Sequence, residues 1–185
     1  MRFVRDAIIT IAVLLIIAVV VVYAAVARGG LSAEERPGAI ERSIARRLVQ
    51  LAVPSDARQH TNPFASKAET WREATDHFQD HCAVCHGADG HGRTDIGQYM
   101  YPQVPDLADP VVQQMTDGDL FYIIQNGVRW TGMPGWKKEH SADETWQLVS
   151  FVRRVPSLTA KDLESIGHEK THDHEHEKEP DQHER

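Results

Sequence analysis

The chain of 185 residues is 41% hydrophobic and 25% charged, and its formal net charge is −7; this length allows one compact domain with appendages and hardly two. The acidity is uneven: eight basic and five acidic side chains give residues 1–65 a charge of +3, whereas residues 66–156 (eight against thirteen) and 157–185 (four against nine) each carry −5. Nucleic acid is not an expected partner, because the sequence has no long basic stripe interleaved with aromatic side chains.

The first predicted element is an apolar helix. Residues 7–27 form an uncharged run in which only Thr10 and Tyr23 carry a polar group. As a helix this run is roughly 32 Å long, enough to cross the hydrocarbon core of a bilayer. It exceeds the apolar core of a signal peptide, about 7–15 residues, so we predict a membrane anchor within residues 1–30. A leader cleaved after the small residues 25–27 is the alternative.

Residues 31–65 are predicted to connect this anchor to a domain. Apolar residues recur every three or four positions between Pro37 and Pro54, which indicates a short amphipathic helix. We expect its apolar face to pack on the domain or on a second copy rather than on lipid. The stretch from Pro54 to Pro63 has the composition of a linker. The four apolar residues are Ile40, Ile44, Leu48 and Leu51.

Three helices are predicted in the domain at residues 66–157. Ser66 and Glu69 fit a capping box that opens a helix ending near His81. A second helix spans about 119–126, capped by Thr116 or Asp117 and stopped by Gly127. Ser141 and Glu144 form another capping box, and Pro156 ends the helix that follows.

The segments between these helices are long and contain many glycines and prolines. Residues 87–110 hold four glycines and three prolines, and residues 129–140 are again loop. Such long loops are unusual in a compact domain unless they wrap around something. Because about 90 residues with so little regular structure form a marginal core, we expect a large apolar cofactor to complete it.

The two cysteines of the chain belong to a cofactor motif. Cys82 and Cys85 precede His86 directly in a C-x-x-C-H pattern, the signature of c-type haem attachment. At the end of a helix the two thiols can form thioethers with one porphyrin, while the imidazole ligates its iron. A redox dithiol would follow a β-strand, and a zinc site would need further ligands at the usual spacing. Neither context is present, so the sequence predicts one covalently bound haem c.

The second axial ligand of the iron is sought among methionines and histidines. Met133 lies in the segment Thr131–Gly135, where Pro134 favours extended backbone and glycines allow close approach to a flat ring. A thioether favours ferrous iron and raises the reduction potential. We predict Met133 as this ligand. The competing side chains are those of Met100, Met115, His81, His91 and His140, whereas His60 and His77 are expected at the surface.

With these elements in place, residues 66–157 resemble class I c-type cytochromes. This family has a small all-α fold in which the first and last helices cross beside the haem. The resemblance further implies that the carbonyl of Pro105 accepts a hydrogen bond from His86, which fixes the imidazole tautomer. The helix crossing and haem pocket are expected to involve Trp71, Phe78, Trp146, Val149 and Phe151.

The expected function is single-electron transfer between redox proteins, by an electron carrier rather than an enzyme. A haem with both axial positions occupied has no open site for a substrate. A haem subunit of a larger membrane oxidoreductase, such as a terminal oxidase or dehydrogenase, is the first alternative. An enzyme or gas sensor with an open haem is the second, and it requires that Met133 does not bind iron.

Arginine counts on the two sides of the anchor do not decide its orientation. The resemblance does: bacteria attach haem to C-x-x-C-H outside the cytoplasm, which implies a single-pass protein of the inner membrane with its haem domain in the periplasm.

The C-terminal segment 158–185 is predicted to be a disordered acidic tail. It carries five of the eleven histidines among Asp and Glu residues and has almost no apolar side chain beyond Ile166. Its spacing could bind Cu, Ni or Zn weakly, but a solvated tail is the simpler interpretation. These histidines are His168, His172, His174, His176 and His183.

Overall fold

The computed structural model describes residues 2–29, 32, 36–65, 67, 70–164 and 166. Every regular element among these residues is a helix or a helical turn, and no strand occurs there, so the all-α prediction is confirmed. The chain divides into a first unit up to Glu35 and a second from Arg36 onward. The histidines predicted in the C-terminal tail lie outside the described residues.

The first unit is helix α1, Arg2–Gly29. Residues Arg2–Arg28 are long and apolar enough to cross a membrane, as the uncharged run predicts. The large apolar side chains in the middle of this helix are exposed, Ile16 for example at 63%. A signal sequence near the N-terminus passes the same test, so this helix does not decide between an anchor and a cleaved leader.

Besides the helical residues 160–164, the described part of the second unit contains α-helices and short 3₁₀ turns with defined bounds. They are α2 (Ala39–Ala52), α3 (Trp71–His81), α4 (Ala83–His86), α5 (Pro110–Gln113), α6 (Asp117–Asn126) and α7 (Ala142–Arg154), with turns at Ala57–Gln59, Gly97–Tyr99 and Val155–Ser157.

Two of the predicted helix caps are present. Thr116 caps α6 and pairs with Asp119 in a capping box, which decides between the two predicted caps. Ser141 and Glu144 form the predicted capping box of α7. Helix α3 begins only at Trp71, without a capping side chain at Thr70. The capping pair predicted for it, Ser66 with Glu69, lies outside the described residues.

A further cap was not predicted. The hydroxyl of Thr159 accepts from the backbone N–H of Asp162 at 3.2 Å, and the Asp162 carboxylate accepts from the Thr159 N–H at 2.9 Å. Residues 160–164 are helical, and Ile166 is buried. Helical structure therefore continues into the segment that the sequence predicts to be a disordered tail, because this local pair satisfies the first backbone groups of a helix.

The core is the crossing of α3 and α7. Phe78 stacks on Phe151 with ring centroids 3.9 Å apart, and Trp71 stacks on the same ring at 5.4 Å. Val149 and Phe151 are fully buried at this crossing. Trp146 extends the core by stacking on Phe121 of α6 at 4.1 Å. The aromatic residues implied by the family resemblance therefore meet where the first and last helices of the domain cross.

The stretch predicted as a linker before the domain is partly packed. The turn Ala57–Gln59 lies against the first turn of α6, where a Cβ on Gly118 would lie 1.9 Å from the carbonyl oxygen of Ala57. The buried amide of Asn62 donates to the Trp146 carbonyl at 3.0 Å and to the Ser150 hydroxyl at 2.8 Å. Glycine is needed at 118 because any side chain would displace this contact.

Arg153 connects α7 to the corner between α5 and α6, and we expect its removal to destabilise the domain. Its Nε donates to Asp117 at 2.8 Å, its Nη1 to the Gln113 carbonyl at 2.8 Å, and its Nη2 to the Met115 carbonyl. Arg153→Ala leaves these acceptors without a partner and should lower the free energy of unfolding by about 1–3 kcal/mol. Chemical denaturation measures this change.

The matched control is the neighbouring Arg154→Ala. Arg154 lies over the Trp71 ring at 4.3 Å, a contact worth only about 0.5–1 kcal/mol at an exposed site. An equal loss of stability in both variants would contradict the role given to the hydrogen bonds of Arg153.

Candidate functional site

The two cysteines lie at the junction of α3 and α4. Cys82 follows the last residue of α3, and its carbonyl accepts from the backbone N–H of His86 at 2.9 Å. Helical backbone through α4 places Cys85 one turn after Cys82, so both half-buried thiols lie on neighbouring positions. Burial raises the pKa of the Cys82 thiol to about 12.

This environment argues against the two alternatives for a C-x-x-C pair. A reactive redox cysteine needs a lowered thiol pKa, whereas burial raises the pKa of Cys82. A zinc site needs four ligands, and within the described residues no group of three or more His, Cys, Asp or Glu side chains could hold a metal ion. Covalent haem attachment, which would remove the ionisable proton of this buried thiol, stays the prediction made from the sequence.

The His86 imidazole is held neutral. Burial lowers its pKa, and the backbone carbonyl of Pro105 opposes this effect. Its Nδ1 is buried and makes no hydrogen bond of good geometry to the described residues. The Pro105 carbonyl lies close enough to raise the pKa of the imidazole, and the hydrogen bond between the two stays a prediction. The Phe78 ring lies 6.4 Å away, centroid to centroid. A neutral imidazole with one nitrogen available is the form that ligates iron.

The loop after α4 folds back and brings Pro105 towards this imidazole. The N–H of Gly92 donates to the His86 carbonyl at 2.6 Å, and the N–H of Leu107 donates to the Gly90 carbonyl at 2.9 Å. Gly92 has φ +69, and a Cβ there would lie 2.9 Å from the Val104 carbonyl oxygen. Glycine is required at 92 both for its backbone conformation and for this close approach.

The Met133 loop is fixed to the end of α6. Gly127 ends this helix with φ +67, and a Cβ there would lie 2.6 Å from the Met133 carbonyl oxygen. The N–H of Val128 donates to this carbonyl at 3.2 Å, and the Met133 N–H donates to the Thr131 hydroxyl at 3.1 Å. The backbone that presents the Met133 side chain is therefore held on both sides.

A second methionine contacts the same loop. A Cβ on Gly132 would lie only 2.3 Å from the methyl carbon of Met100, so the Met100 side chain lies directly over Gly132. The structure thus brings the side chain of Met100, another candidate ligand, against the residue that precedes Met133. Met115 lies elsewhere, because it packs against the hydrophobic core and its carbonyl accepts from Arg153.

The competing histidines have other partners. His91 contacts the carboxylate of Asp106 at 2.8 Å. His140 is buried, and its Nδ1 lies 3.0 Å from Nε2 of His77. The His81 ring lies 5.0 Å from both the His77 and the His140 rings. His77 is thus partly buried in a cluster of three histidines, although the sequence predicts it at the surface, because residues far apart in sequence meet between α3 and α7.

Apolar side chains near the site are left uncovered. Val84 lies inside the C-x-x-C-H motif and is 56% exposed, while Ile96 and Tyr99 in the loop after it are 51% and 68% exposed. Trp130, beside the Met133 loop, is 86% exposed and has a positive φ of 63°, a strained conformation for a bulky residue. A large apolar group attached at Cys82 and Cys85 fits this surface. The sequence analysis did not identify Val84, Ile96, Tyr99 and Trp130 as a group of exposed apolar side chains near the site. The signal that could have found most of them was the presence of apolar residues within glycine-rich loops.

We expect the stability of the protein to fall as the pH drops below about 6.5, because of the histidine cluster. Burial is the main effect that lowers the pKa of both His77 and His140, while the Glu144 carboxylate opposes it. The unfolded state, with histidine pKa values near 6.5, therefore binds more protons than the folded state below that pH. The stabilising contribution is complete above about pH 6.5 and is lost as the pH falls further.

Chemical denaturation at pH 7.5 and 5.5 measures this loss, which should be smaller in His140→Gln. The control His60→Gln replaces an exposed histidine outside the cluster and should keep the full pH dependence. A loss of equal size in His140→Gln and the unsubstituted protein would show that other groups cause it.

The comparison with known families agrees with this geometry. Residues 69–152 match the family described as cytochrome C oxidase, cbb3-type, subunit III, a class I c-type cytochrome domain. The resemblance to class I c-type cytochromes is thereby confirmed over this segment. No curated protein matches the chain significantly.

Proposed function

We propose that this chain, whose residues 69–152 form a class I c-type cytochrome domain, is a membrane-anchored monohaem cytochrome that carries single electrons between redox proteins. One observation carries the proposal: the motif Cys82–His86 and the Met133 loop are each held by backbone hydrogen bonds, beside apolar side chains that a porphyrin would cover. The family match independently supports the coarser statement that the domain is a c-type cytochrome.

Each residue of the site then has a defined role. Cys82 and Cys85 would hold the haem through thioethers, and the neutral imidazole of His86 would bind its iron. Met133, whose backbone is fixed by Gly127 and Thr131, would supply the second protein ligand. The nearby Pro105 carbonyl would orient the imidazole. The haem supplies an iron that exchanges one electron between its ferrous and ferric states.

The proposed role is that of a carrier, because a haem iron held by both His86 and Met133 would have no free coordination position at which a substrate could bind. Exposed side chains such as Tyr99 and Trp130 border the site, so an electron-transfer partner can approach it closely. A difference spectrum of the membrane fraction, reduced minus oxidised, together with the mass of the intact chain, tests for one covalently bound haem.

The second candidate function is a haem subunit of a larger membrane oxidoreductase. The family name favours it, because the matching model describes a subunit of a cbb3-type oxidase. Purification in a mild detergent distinguishes the two: a stable complex with further redox subunits supports the subunit role, whereas an isolated haem protein supports the carrier.

We further propose that α1 stays attached as a single-pass anchor of a bacterial inner membrane, with the haem domain on the periplasmic side. The length and apolarity of Arg2–Arg28 support an anchor. The side follows from haem attachment to C-x-x-C-H, which by family resemblance takes place outside the cytoplasm. Cleavage of the haem domain by protease in spheroplasts tests the side, and the N-terminal sequence of the mature chain tests retention of α1.

A further inference from the structure

Helix α2 has an apolar face that its own unit does not cover. Four side chains spaced three or four residues apart lie on one side of this helix. None of the residues of α2 is buried. This outcome differs from the packing expected from the sequence. The four residues, with exposed fractions from 54% to 78%, are Ile40, Ile44, Leu48 and Leu51.

The rest of the second unit holds α2 from a different side. The carbonyl of Gln50 accepts from the Arg58 guanidinium, and Val53, just after the helix, is buried. A cavity of about 600 Å³ lies between α2 and α6, and Ser43, Arg46, Arg47, Val49 and Gln50 line it from the α2 side. At 100° per residue all of these positions except Arg47 lie about 90° or more from the centre of the apolar face. The side of α2 that is turned towards the domain is therefore not its apolar face.

The chemistry of α2 points to a lipid surface. It carries three arginines and one glutamate, and Arg42, Arg46 and Arg47 are exposed. Basic residues beside an apolar face are the composition of helices that lie in the headgroup region of anionic membranes. At 14 residues the helix is roughly 21 Å long, too short to cross a bilayer. Its apolar face holds only Ile and Leu, whereas protein interfaces are enriched in aromatic residues and Met.

The position of α2 in the sequence supplies the second argument. Only residues 30–38 separate it from the end of α1. Even fully extended, this connection spans no more than about 36 Å. If α1 crosses the membrane, α2 cannot leave the vicinity of the lipid headgroups, which makes its binding effectively intramolecular.

We propose that α2 lies in the headgroup region of the membrane, with Ile40, Ile44, Leu48 and Leu51 among the lipid chains and with Arg47, which borders that face, on anionic headgroups. This helix would give the haem domain a defined orientation at the membrane surface instead of free movement on a tether. The inference rests on the membrane anchoring given under the proposed function.

Spin labels on the complete haem-loaded chain, reconstituted in vesicles, test this placement. Labels are attached to Ile44→Cys, on the apolar face, and to the matched control Arg42→Cys, two residues away and on nearly the opposite side of α2. Both positions are exposed, so the label does not disturb the fold. Collision with oxygen reports contact with lipid, and collision with a water-soluble nickel chelate reports contact with water.

In vesicles of phosphatidylcholine with phosphatidylglycerol, the oxygen-to-nickel ratio should be at least about threefold higher at position 44 than at position 42. The ratio at 44 should fall when phosphatidylcholine is used alone, or when Arg46 and Arg47 are both replaced by Gln. Equal ratios at 44 and 42 would overturn the proposal. Protection of position 44 that appears only at high protein density would identify a second copy as the occupant and would also overturn it.

A third label at Val13→Cys, in the middle of α1, separates this inference from the proposed anchoring. If position 13 contacts lipid while position 44 contacts water, the anchor stands and the inference about α2 is wrong. If position 13 contacts water while position 44 contacts lipid, α1 is not an anchor and the inference about α2 stands. Contact with water at both positions would refute both.

Discussion

Replacing Cys82 and Cys85 together by Ala is expected to abolish covalent haem attachment and to prevent the domain from folding stably. The haem then has no thioether to hold it, and side chains such as Val84, Ile96 and Trp130 remain in water. Covering large apolar side chains contributes about 1.5–3 kcal/mol each, so several of them amount to roughly 5 kcal/mol. A domain of this size has a total free energy of unfolding of about 5–15 kcal/mol.

Haem staining of a denaturing gel and the intact mass of the chain measure this effect. The matched control is Val84→Ala, which lies between the two cysteines and is itself exposed. It should keep the mass of one covalent haem. A double cysteine variant that retains the mass of the macrocycle, or a parent chain that lacks it, would refute the assignment of the motif.

Met133→Ala is expected to remove the sulfur ligand of the iron and to lower the reduction potential by an amount on the order of 0.1 V, since the axial ligands are a main determinant of that potential. The sulfur-to-iron charge-transfer band in the red part of the ferric spectrum should disappear, and the iron should become open to small ligands. Spectroscopy of both oxidation states and a potentiometric titration measure these changes.

The control is Met100→Ala, because the Met100 methyl group lies against Gly132, next to Met133. This variant should keep the charge-transfer band. Loss of the band in Met100→Ala and its survival in Met133→Ala would make Met100 the ligand. Survival in both variants would show that neither methionine alone supplies the sulfur, whereas absence of the band from the unsubstituted protein would exclude sulfur ligation and favour one of the histidines.

Features that depend on neighbours along the chain could be predicted from the sequence. The cap at Thr116 or Asp117, the capping box at Ser141, the stop at Gly127 and the apolar run in α1 involve residues close together in sequence. The C-x-x-C-H motif that begins at Cys82 is also a local feature, because its residues are contiguous in sequence and lie within one helical turn. The all-α class followed from these elements, and the family match confirms the resemblance for residues 69–152.

Features that depend on how loops return to the core could not be predicted in this way. The sequence places Met100 and Met133 in different loops, and only the tertiary structure shows that Met100 lies on the Met133 loop. The buried cluster of His77 and His140 likewise joins residues 63 positions apart. Local patterns contain no information about such contacts, because a glycine-rich loop can follow many paths at similar energy.

The sequence by itself determined where most of the longer helices lie and which residues are predicted to attach a haem, since local hydrogen bonding and spacing specify both. Only the tertiary structure decided that Met100 lies against the Met133 loop and which face of α2 remains uncovered. The physical reason is the range of the interactions: a cap or a C-x-x-C-H motif is satisfied within a few residues, whereas burial depends on every segment that packs against the α3–α7 crossing.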